Sequence, residues 1–146
     1  MIDVPDQIDL DTIRQWLGPV GFHAILRMDL LDYDATKPVL RLSLPFRDDY
    51  ARIPQVGDYH GGVLAAFLDV AGTFAAALAA GGPAATVNLR TDYLRAPIKC
   101  DLIASGRVVR AGRSAIVVDA DLSDEADKLY AVARGTWAPV PADRVR

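Results

Sequence analysis

The chain is short of the residues that build cross-links and metal centres. Its 146 residues include one cysteine, Cys100, which excludes an internal disulfide and a cysteine-rich zinc site. Its two histidines, His23 and His60, show no paired metal-ligand spacing, so the sequence supports neither metal catalysis nor a metal cofactor. Nothing in the sequence links either histidine to Cys100 as a base. We therefore expect Cys100 to be a small buried apolar side chain.

Positive charge is not in excess either. The formal net charge of −3 argues against a nucleic-acid partner. The acidic start of the chain, residues 1–6, lacks the basic-then-apolar pattern of a signal peptide, and we expect a cytoplasmic protein. A hydrophobic content of 51% suits a sizeable core, and no linker divides the chain. These features predict a single domain over residues 1–146.

One long stretch almost lacks charge. Between residues 61 and 80 the sequence is apolar and rich in alanine, and its only charged residue is Asp69. An ionised carboxylate without a partner in apolar surroundings costs on the order of several kcal/mol. Because a protein rarely carries that cost for stability alone, we interpret Asp69 as a functional residue.

Three other interpretations of this stretch are weaker. No second charge marks the outer face of an amphipathic helix, and Asp69 lies eight residues past Gly61, too far to cap the helix start. A membrane span is long enough, but this segment has a central carboxylate and no close Lys or Arg anchors. We expect a helix over about 61–80 that the rest of the protein buries, with Asp69 reaching a ligand site and no membrane contact.

The surrounding pattern predicts β-structure. Asp9 or Asp11 would cap a short N-terminal helix over about 9–17, which Gly18-Pro19 ends. Alternation predicts strands at 22–33, 39–46, 86–95, 102–110, 114–122 and 128–137, with a polar loop at 47–59. The order of one helix, two strands, a long helix and four strands favours an α+β fold. In such a fold an antiparallel β-sheet curves around the central helix and buries it.

Several short motifs occur in a recognisable order. They are, along the chain, His60-Gly61-Gly62, Leu68-Asp69, Thr86-Val87-Asn88-Leu89, Tyr93-Leu94-Arg95 and Arg110-Ala111-Gly112-Arg113. From about residue 57 to 137 the sequence resembles the hotdog-fold acyl-CoA thioesterases of the phenylacetate-degradation (PaaI-like) type. The resemblance implies a hotdog fold, a sheet wrapped around one long helix. It also implies hydrolysis of an acyl-CoA thioester with no cofactor, since coenzyme A belongs to the substrate.

Helix geometry predicts how the site is assembled. The N–H groups of Gly61 and Gly62, at the start of the helix, are expected to be unpaired and positively polarised, as an oxyanion donor must be. Asp69 lies about 12 Å further along the axis at 1.5 Å per residue. One helix cannot easily place both groups on one thioester carbon, but two antiparallel helices of a symmetric dimer can. The resemblance implies the same homodimer, and further implies that two dimers form a homotetramer.

Roles for the catalytic candidates follow in part from the resemblance. Asp69 is expected to act as general base on water or as nucleophile, and the sequence leaves both open. Gly61 N–H would polarise the carbonyl. By resemblance, His60 sets the loop and Thr86 holds the attacking water, although a solvated loop histidine and an ordinary β-branched strand residue are competing interpretations. The family usually has Asn six residues before the histidine. Pro54 stands there in this sequence, and the adjacent Gln55 could supply the amide instead.

Coenzyme A needs cations for its phosphates and a groove for its pantetheine arm. Arg95, Arg110 and Arg113 are the candidate cations, although a solvated surface charge explains each arginine equally well alone. By resemblance, residues 110–114, which include Gly112 and Ser114, grip the nucleotide end. Asn88 and Tyr93 match positions that line the same channel. Gly62 is a substrate-binding candidate because a glycine at the helix start lets a carbonyl approach closely.

The sequence leaves two alternative functions. A hotdog hydratase or dehydratase would pair His60 with Asp69, but its His-Phe-Pro-Gly context is absent. A non-catalytic acyl-CoA-binding protein would have little use for Asp69. Four aromatic residues could line a pocket for an aryl or medium-chain acyl group: Tyr59, Phe67, Phe74 and Tyr93. We interpret Trp16 and Trp137 as packing residues.

Overall fold

The computed structural model describes residues 8–19, 21–141 and 144. Helix α1, Leu10–Leu17, occupies the segment predicted as the N-terminal helix. Its N-cap is Asp9, whose carboxylate accepts the N–H of Thr12 at 2.8 Å. This contact satisfies one of the free donors of the first turn.

The prediction of a strand over 22–33 is wrong in its first half. Helix α2 covers Gly21–Leu26, and strand β1 is confined to Asp29–Asp34. The apolar residues Phe22, Ile25 and Leu26 have the i, i+3, i+4 spacing of a helix rather than the period of two of a strand. His23, which would have been a strand-edge residue, instead lies on α2 with its Nδ1 atom 2.6 Å from the carbonyl oxygen of Trp16.

The remaining elements follow in chain order. Strand β2 is Val39–Leu44, β3 is Ala51–Ile53, β4 is Asp58–Tyr59, α3 is Gly61–Ala80, β5 is Ala84–Tyr93, β6 is Leu102–Ala111, β7 is Ile116–Ser123 and β8 is Leu129–Pro139. The loop predicted at 47–59 is more ordered than expected, because it contains a 3₁₀ helix at Asp48–Tyr50 and the hairpin of β3 and β4. This hairpin leads directly into α3.

Six strands form one antiparallel sheet in the order β1-β2-β6-β7-β8-β5. Helix α3 packs across it and contacts β2 and β5 to β8. Gly106 of β6 permits this close packing, because a Cβ atom there would lie 2.5 Å from the carbonyl oxygen of Ala71. The predicted α+β hotdog architecture, a sheet wrapped around one long helix, is confirmed.

Helix α3 is apolar and long enough to cross a membrane by composition alone. In this fold it is the core helix, and side chains such as Phe67 and Leu68 are fully buried beneath the sheet. Its hydrophobicity is therefore explained by burial within the protein.

Candidate active site

The start of α3 presents one free backbone donor. His60 is the N-cap, and its Nδ1 atom accepts the N–H of Gly62 at 2.9 Å. The backbone N–H of His60 donates to the carbonyl oxygen of Tyr50 at 2.8 Å. The expectation that both glycine N–H groups are unpaired is therefore wrong for Gly62. Gly61 N–H has no acceptor within the described ranges, and it lies at the positive end of the α3 dipole.

The buried carboxylate of Asp58 stabilises the hairpin before α3. Asp58 is only 5% exposed, and its carboxylate accepts from the Arg52 guanidinium at 2.8 Å and from Ile53 N–H at 3.3 Å. The hydrogen bond from Arg52 is the main reason that the pKa of Asp58 lies below its usual value. Gln55 lies in the exposed turn of this hairpin, and no side-chain hydrogen bond holds it within the described part of the chain.

Tyr93 lies directly against the first residue of α3. Its hydroxyl donates to the carbonyl oxygen of Gly61 at 3.0 Å. The ring is so close that a Cβ atom on Gly61 would lie 3.5 Å from it. Tyr93, which the sequence places in the substrate channel, thus helps to fix the position of the Gly61 peptide.

Asp69 has a hydrogen-bond donor that its sequence neighbours do not reveal. The Thr86 hydroxyl donates to Asp69 Oδ1 at 2.8 Å. Asp69 is half-buried, so the expectation of a buried carboxylate without any partner is wrong on both counts. The donor belongs to β5, which the chain reaches only after the end of α3. The polar contact missed at the sequence level is therefore a tertiary one.

A bulge in β5 aims Thr86 at the helix. The pairing with β8 skips Val87, between Thr86 opposite Trp137 and Asn88 opposite Thr136. A strand without this bulge would turn residues 86 and 89 to opposite faces, since side chains alternate with a period of two. The bulge lets Thr86 contact the helix although Leu89 also packs toward the core.

Two further residues, Thr73 and Trp137, extend this contact into a series of hydrogen bonds. Trp137 Nε1 donates to Thr73 Oγ1 at 2.8 Å, and Thr73 Oγ1 lies 3.5 Å from Thr86 Oγ1. Thr73 already accepts from the indole, and Thr86 donates to the carboxylate. Each group in this series of hydrogen bonds therefore donates in the direction of Asp69. Sequence reasoning missed Thr73, although it lies one turn after Asp69 on the same face of the helix.

Two glycines give Trp137 its position. The indole is fully buried, and a Cβ atom on Gly135 would lie 2.6 Å from its ring. A Cβ atom on Gly72 of α3 would be even closer to the same ring. The interpretation of Trp137 as a packing residue is confirmed, and the structure adds its hydrogen bond to Thr73.

The donor and the carboxylate remain apart within one chain. Gly61 and Asp69 are separated by eight residues of regular α3 helix, or about 12 Å along its axis. No group of three or more His, Cys, Asp or Glu side chains in the described ranges is arranged to hold a metal ion. The available chemistry is thus a polarised N–H at one point and an oriented carboxylate at another.

The candidate coenzyme A residues divide between the two ends of β5. The turn after β6 carries the exposed side chains of Arg110, Arg113 and Ser114, and Gly112 N–H closes it on Ala115 O at 2.9 Å. Strand pairing places this turn at the Thr86 end of the sheet, since Ala111 lies opposite Ile116, Ile116 opposite Trp137 and Trp137 opposite Thr86. Exposed Arg95 follows Tyr93 at the other end, and exposed Asn88 lies between the two ends.

Comparison with known sequences agrees with this architecture. The profile of the thioesterase superfamily matches residues 56–131. A predicted esterase of Halobacterium salinarum is 36% identical over 115 residues, which cover 71% of this chain and 76% of that protein. A second predicted esterase, from Saccharolobus solfataricus, is 29% identical over 97 residues, which cover 66% of this chain and 68% of that protein.

Solved structures are similar over nearly the whole chain. An X-ray structure from the thioesterase superfamily has a TM-score of 0.82 and 27% identity, covering 90% of this chain and 98% of its own. The Escherichia coli PaaI protein from the phenylacetic acid degradation operon has a TM-score of 0.68 and 22% identity, covering 79% and 85%. The hotdog fold and the sequence profile therefore agree, and this chain belongs to the thioesterase superfamily.

Proposed function

We propose that the protein is an acyl-CoA thioesterase that acts on an aryl- or medium-chain acyl-CoA with Asp69 as its catalytic carboxylate. The observation that carries this proposal is the Asp69–Thr86 contact of 2.8 Å, which lies behind an uncovered strand edge. Thioester hydrolysis needs a carboxylate for the attack and a donor for the developing oxyanion, and Gly61 N–H is the donor.

The site is completed by a second copy of the chain. Among the residues that the structure describes, strand β5 has no neighbour on its outer side, and Val87 and Tyr93 are 63% and 52% exposed along it. Antiparallel pairing of two β5 strands about a two-fold axis would bring the Gly61–Tyr93 end of one chain to the Asp69–Thr86 end of the other. The same pairing brings Arg95 of one chain toward Arg110 and Arg113 of its partner, where they bind the coenzyme A phosphates. A homotetramer of two such dimers follows from the family resemblance.

The reaction then uses the backbone and side-chain groups of this shared site. Gly61 N–H polarises the thioester carbonyl, and Thr86 orients Asp69 or holds the attacking water. Asp69 either takes a proton from that water as it attacks the carbonyl carbon, or attacks directly to form an anhydride that water hydrolyses. Both routes break the C–S bond, release the coenzyme A thiol and yield a carboxylic acid.

Supporting roles go to the residues around these two groups. Trp137 and Thr73 are positioning residues, since they act on Asp69 only through Thr86. His60 holds the helix start through its bond to Gly62 N–H. Gln55 is the proposed amide donor to the carbonyl, reaching it from the exposed turn of the hairpin.

A hydratase or dehydratase is the second candidate, and the geometry of His60 argues against it. That chemistry would use the imidazole as a base, whereas Nδ1 of His60 accepts the Gly62 N–H, which places the proton of the neutral ring on Nε2 and leaves neither nitrogen with a free lone pair. The remaining candidate, a binding protein without turnover, offers no use for the donors that converge on Asp69.

A thiol-release assay separates these classes. The purified protein is mixed with octanoyl-CoA, phenylacetyl-CoA and crotonyl-CoA, and free thiol is measured with a disulfide reagent while the crotonyl absorbance is followed. We expect catalytic thiol release from the first two substrates. Hydration of crotonyl-CoA without thiol release would identify a hydratase, and tight binding with neither reaction would identify a binding protein.

A further inference from the structure

A cavity of about 250 Å³ lies between α2 and the first turns of α3. Most of its wall is formed by apolar side chains. The lining residues are Phe22, Ile25, Leu26, Val63 and Ala66 on the apolar side, with Asp49, Tyr50, His60 and Gly62. Such a wall with few polar groups is typical of a small-molecule pocket.

The outer wall of the cavity is unusually exposed for apolar side chains. Phe22 is 55% and Ile25 is 62% exposed, on a helix of only six residues. The wall is nevertheless held in place, because the Tyr50 hydroxyl donates to Leu26 O and the Arg47 guanidinium donates to Ile25 O at 3.2 Å. An anchored apolar wall beside an open space favours a ligand that covers it.

The cavity adjoins the proposed carbonyl-binding site at the start of α3. His60 and Gly62, which flank the free Gly61 N–H, both line it. Ala66 lies one turn along α3 from Gly62 and one turn before Asp69, so these three residues share one face of the helix. A thioester carbonyl bound at Gly61 N–H therefore has its acyl carbon chain next to the cavity mouth.

We infer that this cavity binds the acyl group of the substrate, with Ala66 as its floor and Phe22 and Ile25 as its outer wall. The inference rests on the proposed function and adds its specificity site. An apolar cavity of about 150 Å³ holds benzene, so the larger space here accommodates an aryl ring or a medium alkyl chain. The aromatic residues expected to line the pocket do not: Tyr59, Phe67 and Phe74 belong to the core, and Tyr93 contacts Gly61.

Two variants and one matched control test the cavity. Ala66→Leu fills the floor, and Phe22→Ala removes part of the wall without overpacking the fold. Ala79→Leu makes the same change as the first variant at the exposed end of α3, away from the cavity. For each protein, kcat/KM is measured for acetyl-CoA and octanoyl-CoA, and the melting temperature is recorded as a check on folding.

We expect the octanoyl-to-acetyl ratio of kcat/KM to fall at least about 10-fold in Ala66→Leu, within the range for one altered apolar contact in a binding pocket. Phe22→Ala should lower the ratio by a smaller factor, and Ala79→Leu should keep the wild-type ratio. Unchanged ratios in both cavity variants, with thiol release intact, would overturn this inference and leave the proposed function standing.

A measurement without turnover separates the two proposals. Calorimetry with S-octyl-CoA, a thioether that cannot be hydrolysed, gives the dissociation constant for each variant. If the wild type releases no thiol from any substrate, the proposed function fails. Weaker S-octyl-CoA binding in Ala66→Leu than in Ala79→Leu would then still support the cavity, and equal binding would reject it.

Discussion

The two edge strands of the sheet, β1 and β5, each contain a bulge but differ in the charge of the residues next to it. Strands β1 and β5 each have one bulge, and each bulge leaves one aliphatic residue without a partner: Leu31 in β1 and Val87 in β5. Both side chains are exposed, at 45% and 63%. The β1 bulge is followed by Asp32, which is bound through two hydrogen bonds to Arg41 of β2. The β5 bulge is flanked by Thr86 and Asn88, neither of which is charged.

This difference in charge indicates that β1 is the edge protected against pairing with another chain. Natural sheets protect a free edge with bulges and charges, because an unpaired strand invites another chain. β1 has three exposed carboxylates, those of Asp29, Asp32 and Asp34. In β5 the only charges, Arg90 and Asp92, pair with each other at 3.2 Å. The edge without unpaired charges is also the edge that carries Thr86, the donor to Asp69. The proposed dimer contact and the proposed catalytic carboxylate therefore belong to the same edge.

The largest expected effect is at the carboxylate behind β5. Asp69→Asn keeps the shape of the side chain but removes the base and the nucleophile, and turnover should fall by at least ~10²-fold. The free energy of unfolding should hold or rise, because a half-buried charge is removed while its volume stays. Thiol release and thermal melting measure the two effects. A variant that melts lower while its folded fraction keeps full activity would make Asp69 a structural residue.

The next prediction compares the edges directly. Val87→Lys places two like charges near a symmetric β5 contact, a juxtaposition that costs several kcal/mol and should raise the dimer dissociation constant by ~10²-fold or more. Leu31→Lys is the matched change in the β1 bulge and should leave the dimer intact. Analytical ultracentrifugation measures both. If Val87→Lys yields monomers that hydrolyse thioesters at the wild-type rate, the two-chain site is wrong.

A smaller effect is expected at Thr73. Thr73→Val preserves the shape but breaks the path from Trp137 to Thr86, and kcat should fall by ~3- to 10-fold, the value of one ordinary hydrogen bond. KM should change little, because Thr73 touches no substrate. Thr73→Ser restores the hydroxyl and should restore kcat. A purely structural threonine would show a lower melting temperature with an unchanged kcat in the valine variant.

The smallest effect concerns pH and the hairpin before α3. The folded-state pKa of Asp58 is depressed, chiefly by Arg52. The stabilisation is therefore present above the unfolded pKa, about 3.9, and is lost as pH falls through the lower folded value. Asp58→Asn should melt at a lower temperature than the wild type at pH 7, and the difference should narrow as pH falls below about 3.9. A difference that stays as large at the lowest pH at which both proteins fold as it is at pH 7 would show that the pair with Arg52 is not its source.

Much of the fold was accessible from the sequence because its signals are local. The long apolar run at 61–80, with its single charge, and the period of two in the later strands need no knowledge of contacts, and both predictions agree with the structure. The error at residues 22–33 was avoidable, since Phe22, Ile25 and Leu26 already have helical spacing. The ordered hairpin at 51–59 was not, because the side-chain pair of Arg52 and Asp58 that stabilises it forms across the hairpin and leaves no periodic pattern in the sequence.

The candidate site was harder to predict from the sequence, because its contacts are not local. Asp69 was singled out as the one charge of its apolar segment, Gly61 by its place at the helix start and Thr86 by family resemblance, but the hydrogen bond between Asp69 and Thr86 depends on a bulge that alternation does not reveal. The occupied N–H of Gly62 depends on the His60 rotamer. The link from Trp137 to Thr73 spans the sheet and the helix, and it requires glycines at positions 72 and 135 whose purpose is visible only when the indole is in place.

The position of Trp137 has a practical consequence. The chain contains two tryptophans, and the other, Trp16 of α1, packs against Phe74. In a Trp16→Phe background, all indole fluorescence would come from a ring whose Nε1 atom is bonded to Thr73, next to Thr86 and Asp69. Any movement of the carboxylate on substrate binding would change the surroundings of that ring. The protein thus contains a native optical probe of its own site, readable without a dye, a label or a chromogenic substrate.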